Sequence, residues 1–525
     1  MAWCTTTVSM LLLLGIGGGS TVAAAVNGPT LGYFLKNMNT TAEGTLTATT
    51  TTTMMKTYDL SFLDGYDHYR LLPGDFSYST YHFDGLATVM RLSFEENESG
   101  DMEIVYRVRP YESKAYLDRK NHECIFFGTG TGPSAAIPTG GVCFRNPGVN
   151  LLPIGDQLWL TIDTSSWGRV DRTTLETVDA KAQVASFVLN AHPACDPTAP
   201  KDSPLCYVQH PCPAKASPYS KDVCFSTLQT SDTDLLTTIV SNATLSSAKI
   251  IQHSHSPCVT PNYVVSKLDA FVVRDPLANL RKGGVLKYAH QGEDNQWMVM
   301  DRRTNVSRIL KSPGHSFVNN HFWNCAENVD GDVVVETVTA TEDYLDNYFE
   351  FNLEKDSLDW SHIFHEPLRC VVPSTSSAEQ DIQCDTLLSP NASIGFFDYP
   401  TFNPDKKMQN DYRWFYAIAP KDATASRWFD SVVKIDRQSG QVAASWDKSN
   451  VFLTEADFIP RPGATEEDDG VLITITYDND ADESFLMILN AKDLSEIASF
   501  PFNYAIPFHA HGISCRKDGA CWTNP

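Results

Sequence analysis

Fourteen histidines are spread along the chain, and four of them stand in similar places. His192, in "LNAHPACDP", ends an apolar run before a Pro-Asp turn. His255, in "IIQHSHSPCVTPNYVV", comes just before a loop leading to the strand from Tyr263. His321, in "NNHFWNCAENVDGDVVVETV", lies among Phe322, Trp323 and Cys325, ahead of an Asp-Gly-Asp turn and the run Val333 to Val335. His511, in "AIPFHAHGI", follows a proline and precedes a glycine. One histidine in such a setting is ordinarily a core ring bonded to a carbonyl. Four, each on a different sheet, could converge on one point. Four neutral imidazoles without a carboxylate among them suit iron, copper or zinc, not magnesium or calcium. On an octahedral ion they leave two positions, for O2 and a substrate. Spacing leaves a choice open at two places. His253 and His255, like His509 and His511, are two residues apart, so a strand puts each pair on one face and either member could be the ligand.

The elements that must carry these rings are strands. Helical periodicity is scarce, and most segments alternate apolar and polar residues, or are rich in β-branched ones, between clusters of Asp, Asn, Gly and Ser. A short pattern recurs: an apolar residue, a turn built on Asp or Asn, then a second strand. It is found in "RVDRTTLETV", "VMDRRTNVSRIL", "FNLEKDSLDW", "KIDRQSGQVA" and "LNAKDLSEIA". Asp and Asn suit such turns because their side chains bond their own backbone two residues on. One hairpin is marginal by itself, so the copies must pack together, and radial packing of four-stranded units makes a propeller. The irregular spacing argues against a strict WD-type repeat, and a large sandwich is the other arrangement the hairpins allow.

The totals set bounds. A chain of 525 residues with 20% charged and 42% hydrophobic residues is largely globular. A net charge of -24 argues against nucleic-acid partners, which need basic patches. The run "VSMLLLLGIGG" followed by "STVAAAV" reads as a signal peptide or the first part of a targeting leader over residues 1–26, and the Thr-rich stretch 27–56 as a linker. Removing Cys4 with the leader leaves an even number of cysteines. Cys370 with Cys384 and Cys515 with Cys521 are near in sequence, and Cys195, Cys206, Cys212 and Cys224 form a loop cluster. Sequons at Asn39, Asn97, Asn242, Asn305 and Asn391 fit the same secretory route, ending outside the cell, in a lumen or in a plastid.

Several segments, in order, resemble the carotenoid cleavage oxygenase family. "TYHFDGLATVMRLSF" and "VYRVRPYESKAY" are similar to its early signatures, and "AHPACDP", "HSPCVTPNY", "HFWNCAEN" and "IPFHAHGI" to its four histidine motifs. "DYPTFNP" and "PRPGATEEDDGVL" are similar to two later ones. The resemblance spans residues 57–525, which it makes a single domain. It implies an all-β, seven-bladed β-propeller with a small helical cap over an axis bearing Fe(II). Within each histidine pair it selects His255 and His511, so that His192, His255, His321 and His511 hold the metal. In the family three glutamates hold ligand imidazoles. The resemblance aligns Glu467 with one, Asp398 in "FFDYP" with another and Asp163 in "TIDTSS" with the third. Aspartate reaches about 1.5 Å less far, so the backbone must move inward or a water must bridge. Other departures are the lack of a Trp before Phe83, and Ser256 and Pro261 where the family has Asp and Glu.

The implied reaction is cleavage of a C=C bond of a carotenoid or apocarotenoid by O2 into two carbonyl products. The protein positions the polyene and excludes water. Such a substrate implies docking on a membrane surface without spanning it. Relatives that cleave stilbenes or isomerise retinoids are one alternative, and a secreted propeller that binds without catalysis is another.

Overall fold

The computed structural model describes residues 41–46, 58–74, 85–113, 116–117, 146–155, 157–163, 167–179, 189–200, 204–212, 222–230, 235–245, 254–268, 271–273, 288–290, 295–312, 318–341, 366–374, 382–423, 426, 428–508 and 511–523. Most of the expected leader and linker, and His253 and His509, lie outside these residues.

Seven antiparallel sheets stand around one axis. Counting blades from the first complete one, their inner strands are Asn150–Ile154 in blade 1, Ala194–Cys195 in blade 2, Cys258–Val259 in blade 3 and Val318–Glu327 in blade 4. Asp398–Thr401 follows in blade 5 and Asp457–Pro460, beside Val451–Leu453, in blade 6. Gly512–Cys515 takes the inner place in blade 7. That last strand pairs with Asp67–Pro73 from the opposite end of the sequence, so one sheet joins early and late segments and closes the ring. A hairpin of Phe271–Val273 and Tyr288–His290 stands apart from the blades. Inner strands of blades 2 and 3, 3 and 4, 4 and 5, 6 and 7, and 7 and 1 touch.

The recurring turn has a physical basis. Asp171, Asp301 and Asp436 each accept the N–H two residues on, and Asn490 does the same for Lys492. In each, the residue four places on donates its N–H to the first residue's carbonyl. That fourth residue, Leu175, Asn305, Gly440 or Leu494, has a positive φ between 57° and 66°. The copy expected in "FNLEKDSLDW" lies outside the described residues.

The core is a ring of seams between blades. Leu71 and Val89 of blade 7 meet Leu158 and Val170 of blade 1. Trp159 of blade 1 meets Val208 and Leu228 of blade 2, and Phe225 meets Met298 of blade 3. Trp297 of blade 3 packs with Val335 of blade 4, Trp323 of blade 4 with Phe415 of blade 5, and Ile473 of blade 6 with Met90 of blade 7. Each seam buries two sheet faces, so most blades read as continuous apolar or β-branched runs; Val333–Ala340 is buried throughout.

One expectation is corrected. Ala42–Leu46, inside the stretch read as a linker, pairs with Met102–Pro110 and buries Leu46. Leu46 joins the buried cluster of Met90 and Ile104, an apolar anchor that a linker would lack. The helices among the described residues are the short 3-10 turns Ser61–Leu63 and Pro404–Lys406 beside a fragment at residues 116–117, and the expected helical cap is not among them.

Candidate metal centre

At the same end of each inner strand stands one polar residue. Blade 1 supplies Asn150, blade 2 His192, blade 3 His255, blade 4 His321, blade 5 Asp398, blade 6 Glu455 and blade 7 His511. Four of the seven are the expected histidines, and one ring atom from each lies within 4.8 Å of the others. Ring centroids are 4.4 Å apart for His192 and His511, 4.6 Å for His192 and His255, and 4.8 Å for His321 and His511. Imidazole nitrogens bind a divalent ion at about 2.1 Å, so two on opposite sides are about 4.2 Å apart. The cluster needs only a small contraction to hold one ion.

Local backbone irregularity aims two of these groups. In blade 4 the pairing slips between Asn319 and His321. In blade 5 it slips between Asp398 and Thr401, where Tyr399 has φ 51° and donates its N–H to Asp398 Oδ1. Such bulges re-aim side chains. They bring His321 Nδ1 within 2.8 Å of Asp398 Oδ1. Asp163 follows the second strand of blade 1; its Oδ2 is 2.7 Å from His255 Nδ1 and its Oδ1 accepts the N–H of Ala191, next to His192. The shorter aspartates therefore reach the rings directly, with no bridging group.

Glu467 does not reach the centre. It lies on the loop after Asp457–Pro460, at the far end of that inner strand, and accepts the backbone N–H groups of Arg413 and Trp414. The residue beside His511 is Glu455, whose Oε1 is 3.5 Å from His511 Nδ1. Both groups are fully buried. Glu455 Oε2 accepts from Arg70 Nη1 at 3.1 Å and from the N–H of Gly512 at 2.8 Å. Arg70 Nη2 also bonds the Glu455 carbonyl and Asp457. Asn150, likewise not foreseen, puts its amide 2.9 Å from His192 Nδ1. Its sequence signal was its place at the first residue of an inner strand.

The donor set fits a metal. Burial holds the His321 imidazole below its usual pKa, against the pull of the Asp398 carboxylate, and so favours the neutral form that a metal needs. With Nδ1 bonded to Asp398, His321 turns a buried Nε2 toward the axis that meets no hydrogen-bond partner. Carboxylate–imidazole pairs of this kind fix ring orientation and raise ligand basicity. Tyr399 packs against His321 and His511, with ring centroids 5.5 and 5.3 Å away. A cavity of about 390 Å3 starts at Asn150 and His192 and runs along the inner strands past Phe322 and Trp323.

Residues 63–513 match the family described as retinal pigment epithelial membrane protein. The chain is 24% identical over 497 residues to β,β-carotene 15,15'-dioxygenase of Gallus gallus, covering 84% of this chain and 90% of that one. It is 28% identical over 278 residues to the chloroplastic carotenoid cleavage dioxygenase 8 of Arabidopsis thaliana, covering 50% of this chain and about half, 47%, of that protein's length. In structure it is similar to a variant of Synechocystis apocarotenoid oxygenase, with TM-score 0.71 and 18% identity, covering 92% of this chain and 97% of that one. A cobalt-substituted form of the Synechocystis protein gives TM-score 0.72 at 18% identity, covering 92% and 98%. At such identities the structural likeness speaks for the fold.

Proposed function

The chain belongs to the retinal pigment epithelial membrane protein family, and from that premise we propose that it is a non-haem Fe(II) dioxygenase that cleaves a C=C bond of a carotenoid or apocarotenoid. The observation that carries this reading is the convergence of His192, His255, His321 and His511, each from a different blade, on one point. These four rings hold the ion. Bound there, Fe(II) supplies a redox-active site at which O2 can react with an alkene.

The chain's own residues do the rest. Asp163 and Asp398 accept the Nδ1 protons of His255 and His321 and turn the opposite nitrogens toward the axis. Glu455, held by Arg70 and Gly512, faces His511, and the Asn150 amide fixes His192. Tyr399 offers an electron-rich ring beside the centre, which favours positive charge developing along a polyene. No side chain has to give or take a proton, because both oxygen atoms of O2 enter the two carbonyl products and no other reductant is consumed. A substrate of this kind partitions into membranes, so the proposal includes docking on a membrane surface; no helix among the described residues is long and apolar enough to cross one. Five disulfides among the described residues support passage through an oxidising compartment.

The test is metal analysis followed by product analysis. Protein loaded anaerobically should hold about one iron per chain. It should convert a carotenoid or apocarotenoid into aldehyde or ketone fragments under air and not under argon. A well-folded protein that binds no iron, or an iron-loaded one that leaves every carotenoid, apocarotenoid and stilbene intact, refutes the reading.

A further inference from the structure

Each of the four histidines is followed, three or four residues later, by a cysteine on an inner strand. The pairs are His192 and Cys195, His255 and Cys258, His321 and Cys325, and His511 and Cys515. All four cysteines are in disulfides: Cys195 with Cys206, Cys258 with Cys325, and Cys515 with Cys521. Cys195, Cys258, Cys325 and Cys521 line the axial cavity directly behind the centre. The cross-links therefore form a collar one short step along the strands from the rings.

The collar coincides with a weakness in the sheets. The inner strands of blades 2 and 3, which directly follow the segments bearing His192 and His255, are two residues long, and each pairs with its neighbour over just two residues. So short a ladder gives little hold on the segment ahead of it. In blade 2 the Cys195–Cys206 bond welds the inner strand to its neighbour. Blades 3 and 4 belong to separate sheets, with no backbone pairing between Cys258–Val259 and Val318–Glu327. Their inner strands are joined by Cys258–Cys325, the one disulfide among the described residues that crosses from blade to blade. It ties the carrier of His255 to the carrier of His321.

We propose that the Cys258–Cys325 disulfide, supported by Cys195–Cys206 and Cys515–Cys521, is part of the positioning machinery of the four-histidine centre and holds His255 and His321 at a common ion. This rests on the reading of the cluster as a metal site. The bond does not touch the ion; it joins two ligand-bearing strands that share no backbone pairing among the described residues, next to the hydrogen bonds of Thr260 and Asn262 to Glu327. Two other disulfides provide an internal control. Cys212–Cys224 and Cys370–Cys384 also link adjacent strands, but on the outer parts of blades 2 and 4, and none of these cysteines follows a ligand on an inner strand.

The experiment compares full-length wild type, Cys258→Ser/Cys325→Ser and Cys370→Ser/Cys384→Ser. Fe(II) affinity is measured by competition with a colorimetric chelator, anaerobically and with ascorbate as reductant, since ascorbate leaves disulfides intact. The visible spectrum of Co(II)-loaded protein reports coordination, and thermal unfolding of the metal-free forms reports stability. Both variants should lose stability. Only the Cys258/Cys325 variant should lose affinity tenfold or more and shift the Co(II) bands. If that variant fails to fold, Cys195→Ser/Cys206→Ser set against Cys212→Ser/Cys224→Ser makes the same comparison within blade 2. Equal affinity and identical spectra in collar and control variants overturn the inference while leaving the metal site standing. Wild type that binds neither ion refutes the metal reading and this inference with it.

Discussion

Two carboxylate–imidazole pairs at one centre are built in opposite ways. His255 and Asp163 meet at 2.7 Å with side chains 21% and 30% exposed. His511 and Glu455 stand 3.5 Å apart at 3% and 0% exposure. Asp163 spends its other oxygen on a backbone N–H, whereas Glu455 shares its charge with the guanidinium of Arg70 and the N–H of Gly512. A carboxylate cannot be buried uncompensated, so the closed side of the site needed a cation, and that cation draws Glu455 away from the ring. On the open side the carboxylate bonds the histidine and a backbone N–H. One wall is thus set in a buried charge network, and the other, where His255 and Asp163 meet, is partly exposed.

This contrast can be broken at several points. The largest effect is all-or-none. If both pairs serve one ion, His321→Ala or His511→Ala should take iron from about one per chain to near zero by elemental analysis, and neither wall should retain it alone. Next comes the closed wall. Arg70→Met leaves Glu455 and Asp457 buried without their partner and should cost about 3–5 kcal/mol of stability in denaturant unfolding. A buried histidine away from the centre sharpens the point. His210 is bonded to Ser226 and to the carbonyl of Pro211, and burial pushes its pKa down to about 4. Its unfolded value is about 6.5, so the folded state resists taking the proton. Its contribution is complete above pH 6.5 and is lost as pH falls toward 4, by up to about 3 kcal/mol. Unfolding measured across that range should show the slope, and His210→Asn should flatten it.

The open wall should respond differently. Asp163→Asn should weaken metal binding about 10- to 100-fold while changing stability by about 1 kcal/mol or less, as read by chelator competition beside denaturant titration. The smallest effect belongs to Glu467→Gln. That residue braces a loop, so metal affinity should stay at the wild-type value; a loss comparable to that of Asp163→Asn would return it to the centre.

What the sequence made legible follows from how local each signal is. The four histidines could be found because residue type, flanking turn and motif order coincide at each. The tie between His253 and His255 was broken by resemblance, since two-residue spacing puts both on one face. Glu455, in "FLTEADFIP", and Glu467, in "GATEEDDG", lie twelve positions apart on either side of the strand Asp457–Pro460. What separates them is which end of Asp457–Pro460 each occupies, and that depends on strand register. Arg70 gave no warning because its partners are 385 and 387 positions away. The hairpin turns were visible through their Asp and Asn residues, but their number does not fix the number of blades, which follows from how many twisted sheets close a ring. Cys370 with Cys384 and Cys515 with Cys521 were legible as near neighbours. Cys258 with Cys325, 67 positions apart, required two blades to be set side by side first.

The sheet that joins Asp67–Pro73 to Gly512–Cys515 imposes an order of events on the living cell. The ribosome delivers three of the rings while the circle is still open, and the fourth emerges only after six blades have been synthesised. The four rings therefore cannot gather until the last blade is made, and a frameshift or nonsense change shortly before residue 511 would remove the clasp and one of the four rings in a single stroke.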